Sequence, residues 1–168
     1  MYNKMLSKII TDALNKQINA ELYSSYLYLA MSSNLETQNL KGFAKWMIAQ
    51  SNEERGHAMK TYNYLITQNE VVELDNISKP PKSWENTKNM FEEVYKHEQA
   101  VTRMIHSLME TAISEKDHAT QSMLKWFVDE QVEEEATSNE ILQKINSIKN
   151  DPVGLLLLDK ELGERSSK

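Results

Sequence analysis

Residues 47–65 read MIAQSNEERGHAMKTYNYL. On a helix advancing about 100° per residue, Met47, Ala58 and Leu65 share one face, and Glu54 falls at its centre. His57 stands one turn along, at the edge of that face. The Glu-x-x-His spacing therefore sets a carboxylate and an imidazole on adjacent turns of one helix face. A carboxylate in the middle of an apolar stripe is costly to bury unless a partner or a cation meets it. The stretch predicts a long amphipathic helix with something other than hydrocarbon against its middle.

The stripe continues back to Phe43 and takes in Tyr62, so this segment, B, spans about residues 40–67. Segment A precedes it over about 7–34, with Ser7 as N-cap and the stripe Ile10, Leu14, Ile18, Ser25, Tyr28 and Leu29. Segment C covers about 85–114 through Val94, Val101, Ile105 and Leu108. After a corner at Lys116-Asp117, segment D runs over 118–149 with Leu124, Phe127, Val128, Leu142 and Ile145. Pro152 then stops or bends the chain, and the short segment E, about 153–162, carries four consecutive leucines from Leu155 to Leu158. Glycine (4) and proline (3) are scarce among the 168 residues, which fits an all-α chain.

Between B and C lie residues 68–83, including Pro80-Pro81, which disfavour helix. That connection is long for a compact domain. Extended, its roughly 16 residues reach about 50 Å, enough to run the full length of a helix such as A. The expected architecture is a single domain over 1–168: a four-helix bundle of hairpins A–B and C–D, joined by one long crossover link, plus a short C-terminal fifth helix.

The other segments repeat the anomaly of B. Glu21 lies near the centre of the stripe of A, Glu98 within the arc of Val94, Val101 and Ile105, and Gln131 among Leu124, Val128 and Leu142, with Glu134 on the flank. One off-pattern glutamate on a helix is ordinarily solvated or sits at a bundle end. Here each of the four helices points a polar ligand inward, and no Lys or Arg shares these stripes. Carboxylates gathered in one core repel each other, and a multivalent cation resolves the conflict. Hard oxygen donors with one imidazole suit iron, and they also accept zinc and manganese.

Composition removes other classes. Net charge is −6, with no basic cluster, so a nucleic-acid surface is not expected. The absence of cysteine excludes disulfides, iron–sulfur clusters and thiolate zinc. No apolar run approaches the ~20 residues of a membrane span, and residues 1–8 lack a secretory apolar region, so a cytoplasmic protein is expected.

From about residue 7 to 162 the sequence resembles the ferritin family. The resemblance rests on Glu21-Leu22-Tyr23-Ser24-Ser25 with Tyr28, Glu53-Glu54-Arg55-Gly56-His57, Tyr95-Lys96-His97-Glu98-Gln99, residues 126–135 (WFVDEQVEEE) and residues 153–162 (VGLLLLDKEL). The last two resemble the bacterial non-haem branch. The resemblance implies a first iron position at Glu21, Glu54 and His57, and a second at Glu98 and Gln131, with Glu54 bridging. It implies that Tyr28 supplies an electron or a hydrogen bond nearby. Glu53, Glu130, Glu133 and Glu134 would form a third iron position, towards the inner surface. Bacterioferritins carry a second Glu-x-x-His where this chain has Gln131-Val132-Glu133-Glu134, and a haem-ligating Met where it has Arg55, so no haem is expected. The paired acids of the animal three-fold channel correspond to Gln121 and Leu124.

The implied activity is ferroxidase: Fe²⁺ is oxidised by O₂ or peroxide and ferric oxide is stored in a cage cavity. Segment E is too apolar to stay exposed on a monomer. By resemblance it closes a homo-oligomeric shell of 24 subunits. Three readings compete. A rubrerythrin-like peroxidase that keeps its di-iron centre ordinarily has a second Glu-x-x-His. A DNA-protecting mini-ferritin places its ligands between subunits and lacks the fifth helix. A helical interaction module without metal leaves the inward carboxylates unexplained. Elsewhere, His97 is read as supporting a ligand, His106 and His118 as surface, and most of the nine Met as core filler. Gly56 is read as facing outward, at a cost of roughly 1 kcal/mol against Ala.

Overall fold

The computed structural model describes residues 6–149 and 151–164. Five helices follow in order: α1 (Lys8–Thr37), α2 (Lys41–Thr67), α3 (Thr87–Ser114), α4 (His118–Ile148) and α5 (Pro152–Gly163). Side chains cap four of the N-termini. Ser7 accepts from the Ile10 amide, Asn86 from Asn89, Asp117 from Thr120, and Asp151 from Val153 and Gly154. Each cap satisfies amides that have no partner within the helix.

Helix ends explain the boundary differences. Asn34 does not end the first helix. It continues to Thr37 and stops because Asn39 turns left-handed at φ 59°, which lets the Leu40 amide reach back to the Leu35 carbonyl. The third helix starts two residues late, at Thr87, because Asn86 is its cap. Pro152 opens the last helix rather than stopping the chain, since proline suits the first helical turn, where its missing N–H costs nothing.

The core has two apolar clusters. One contains Leu27, Met31, Met47, Val94 and Ile141 and reaches Leu158 and Leu162 of α5. The other contains Ile10, Leu14, Ile18, Ala58, Val101, Ile105, Leu124 and Phe127. Chain order through them gives the topology. Helices α1 and α4 run from the second cluster to the first, whereas α2 and α3 run from the first to the second. Consecutive α2 and α3 are therefore parallel, and the link between them must travel the length of the bundle. Along its path Asn15 and Asn19 of α1 bond the backbone of Glu73 and Asn76.

The stripe of α1 shifts from its expected line. Leu29 is 46% exposed, and Leu27, Met31 and Leu35 are buried instead. Leu29 lies about 80° from Glu21, on the side away from Ser24, Met31 and Leu35. Val128 is only half-buried, and Ser25 is half-buried with its hydroxyl on the Ser51 carbonyl.

Helix α5 docks across the start of α2. Asp159 Oδ1 accepts from the Phe43 amide at 2.9 Å, and Lys45 Nζ donates to the Gly163 carbonyl at 2.7 Å. The approach requires Gly42, because a Cβ there would lie 1.6 Å from the Asp159 carbonyl oxygen. Val153, Leu156 and Leu157 of α5 remain 60–65% exposed. Among the described residues no helix is long and apolar enough to cross a membrane.

Candidate metal centre

On every bundle helix, the break between the two apolar clusters is where the polar ligands stand. Glu21 follows Ile18 on α1, Glu54 and His57 fall between Met47 and Ala58 on α2, Glu98 between Val94 and Val101 on α3, and Gln131 and Glu134 between Phe127 and Ile141 on α4. All six are buried, none more than 5% exposed. His57 and Glu134, expected at the edges of their stripes, are as enclosed as the central residues.

Glu21, Glu54 and His57 each offer a ligand atom, and these atoms all lie within 4.8 Å of one another. Glu21 Oε2, both carboxylate oxygens of Glu54 and His57 Nδ1 make no hydrogen bond, although His57 Nδ1 stands 3.5 Å from Glu54 Oε2. The relief available within the protein is a proton shared between the abutting Glu21 and Glu54 carboxyl groups. Three buried carboxylate oxygens and an imidazole nitrogen without a hydrogen bond fit a cation among them. Burial first, and then the neighbouring Glu54 charge, hold the Glu21 carboxyl well above its ordinary range. Burial and Glu98 do the same to Glu54.

Glu98 is engaged by donors. The Tyr28 hydroxyl donates to its Oε1, and Gln131 Nε2 lies 3.3 Å from its Oε2. Burial pushes its carboxyl up to about 7, against the opposing pull of these two donors. Burial and the charge of Glu98 raise the Tyr28 phenol as well. Tyr28 thus bonds directly to one of the sequence-predicted ligands.

A second group joins Glu53, His57, Glu130 and Glu134, again with ligand atoms within 4.8 Å. It shares His57 with the first group. Glu134 is pushed up to about 7 by burial, then by the charges of Glu98 and Glu53. Glu133 belongs to neither group and is exposed; around α4 it lies about 60° from Glu130 and about 100° from Glu134, on the solvent side of their face. A groove of about 670 Å³ opens over this second group, lined by Glu53, Gly56, His57, Lys60, Trp126 and Glu130. At Gly56 an added Cβ would meet nothing within 4 Å. The Trp126 ring stands edge-on to His57 at 5.3 Å, with Lys60 Nζ 4.3 Å above its centroid.

His97 stands outside both groups, against Ser24 and Tyr28. Its Nε2 is 2.7 Å from Ser24 Oγ, its ring is edge-on to Tyr28, and burial holds it down to about 4, hence neutral. His106 and His118 are exposed, as expected. Leu124 is buried in the second core cluster, so only the half-buried Gln121 of that pair has access to a surface. Two buried residues escaped the sequence reading. Gln17 Nε2 donates to Glu21 Oε1 at 2.7 Å, and Gln50 Nε2 donates to Glu134 Oε2 at 2.9 Å. Each glutamine stands four residues before a glutamate of the first group, one turn along the same face, and that spacing was the available signal.

Comparison with known proteins agrees with this geometry. Residues 11–148 match the family described as ferritin-like domain. A bacterial non-heme ferritin from Bacteroides fragilis is 42% identical over 161 residues, covering 96% of this chain and 100% of that one. A bacterial non-heme ferritin from Staphylococcus aureus is 39% identical over 162 residues, covering 96% and 98%. The crystal structure of an open pore ferritin from the archaeon Archaeoglobus fulgidus superposes with a TM-score of 0.95 at 46% identity, covering 96% of this chain and 99% of that one. Matched over most of its length by the family model, and over nearly all of it by relatives at these identities, this chain is a member of the ferritin family.

Proposed function

We propose that the protein is an iron-storing ferroxidase, acting as one domain over residues 1–168 in a cytoplasmic homo-oligomeric cage of 24 chains. The observation that carries the reading is the set of buried atoms without a hydrogen bond on Glu21, Glu54 and His57, sealed between two apolar clusters. Fe²⁺ is the substrate. One ion is held by Glu21, Glu54 and His57, and a second by Glu98 and Gln131 with Glu54 between them. Each iron gives one electron to O₂ or peroxide, and protons complete its reduction. The carboxylates favour the Fe³⁺ product by their charge. Gln131 supplies a neutral oxygen, so the second ion is held less firmly and is released for storage.

The third position uses Glu53, Glu130 and Glu134, with His57 shared; exposed Glu133 is a looser contributor on the way to the cavity. No haem is assigned, because Arg55, whose guanidinium has no lone pair to offer a haem iron, stands where haem-binding relatives carry a methionine. The exposed Val153, Leu156 and Leu157 favour assembly, since a second copy would cover them.

The test combines size and capacity. Light scattering on purified protein is expected to give a particle of several hundred kilodaltons. Anaerobic Fe²⁺ loading followed by air should then take up far more than three irons per chain. A small oligomer that stops at two irons per chain would point instead to an enzyme that retains its di-iron centre.

A further inference from the structure

We propose that Gln50 is the positioning residue for the third metal position, holding Glu134 between the inner pair of irons and the outer group. The role rests on the third position assigned above. Glu134 is the only carboxylate of the outer group that is fully buried; Glu53 and Glu130 are half-exposed at the groove. It also stands within electrostatic reach of both the buried Glu98 and the half-exposed Glu53. A carboxylate in that place serves whichever ion it faces, so its orientation decides how the two positions share it.

Gln50 settles the orientation. Its side chain is 1% exposed, it comes from the facing helix α2, and its Nε2 donates to Glu134 Oε2 at 2.9 Å. One oxygen is thereby tied to α2, and Oε1 is left for a cation. An amide suits the task better than the alternatives. A lysine would neutralise the charge that the cation needs, and an apolar residue would let Glu134 swing towards Glu98 or leave an oxygen without a partner. Gln50 touches no ion itself. It acts as the outer hydrogen-bond partner of a ligand, the kind of contact whose loss ordinarily costs 10–100-fold in metal affinity.

The experiment is an anaerobic Co²⁺ titration of the full-length assembled protein, followed by calorimetry and by the visible absorption of the bound ion. Wild type is expected to bind two ions tightly and a third more weakly. Gln50→Met keeps the volume and removes the donor. It should weaken the third step about 10-fold or more and leave the first two within a factor of about two. Gln50→Glu, which replaces the donor by a like charge, should weaken the third step further at neutral pH. In a Glu134→Gln background, Gln50→Met should have no additional effect on the ions that still bind. A third step unchanged in Gln50→Met would overturn the proposal. So would an equal loss at all three steps, which marks a general packing role. A wild-type protein that binds two ions and no third removes the outer position and, with it, this role, while the ferroxidase pair stands.

Discussion

Glu134→Gln in metal-free protein isolates the cost of the centre. Burial and the charges of Glu98 and Glu53 raise the Glu134 carboxyl from 4.5 to about 7. The folded chain therefore binds its proton more tightly than the unfolded chain does. The penalty is absent below the unfolded value, grows through the interval between the two, and is complete above about 7. A displacement of roughly 2.5 units corresponds to about 3 kcal/mol of lost stability. Glutamine keeps the shape and removes the charge. Its carbonyl still accepts from Gln50, and its new N–H groups face the carboxylates that repelled Glu134. Desolvating an amide takes back part of the gain, leaving about 2–3 kcal/mol of stabilisation near pH 8 and almost none near pH 5. For a chain of this size that amounts to a rise in Tm of about 5–10 °C. Thermal scans of chelator-treated protein at the two pH values measure it. Equal Tm values for variant and wild type near pH 8, or the same difference at both, would refute the account of Glu134 as a buried, electrostatically strained ligand.

Gly42→Ala should displace α5, because its methyl would overlap the Asp159 carbonyl; protease sensitivity of residues 152–163 should rise and the particle should shrink or broaden on size exclusion. Gly56→Ala should do the opposite to stability, raising it by about 1 kcal/mol, since the helix gains and the added methyl meets open space. A thermal scan that shows no gain there would mean that the groove is filled in the assembly. Tyr28→Phe removes a donor from Glu98, whose carboxyl should then rise further above about 7. Protons would compete longer for the second ion, and the pH midpoint of its binding should move up by about one unit; an unmoved midpoint would leave Tyr28 a purely packing role.

Much of this was legible in the sequence because a helix converts spacing into direction. Glu21, Glu54, Glu98 and Gln131 were placed by angle alone, and the crossover link by its length and its prolines. His57 and Glu134 were read as edge residues because angle describes a single helix. Their burial comes from α2 and α4 closing on each other, which no one-helix pattern contains. Gln17 and Gln50 were missed for a related reason: a neutral amide on a polar-flanked face looks the same whether it bonds water or a carboxylate. Glu133 was assigned by resemblance and lies outside both ligand groups. The first helix runs three residues past its expected end near residue 34, because the left-handed turn at Asn39 that stops it is a backbone feature the apolar stripe does not encode.

The division of the core into two apolar clusters also concerns how the chain opens. Hydrocarbon contacts on either side of the ligand layer are separate, so in the metal-free protein each end of the bundle can loosen with limited consequence for the other. Amide hydrogen exchange would register them as two cooperative blocks, one anchored by Phe127 and Ile105, the other by Phe43 and Phe91. The proposed pair of cations, one on α1 and α2 and the other on α2, α3 and α4, would tie all four helices together at the seam. Cargo would then fuse two folding units into one, and iron would act as a structural rivet as well as a stored metal.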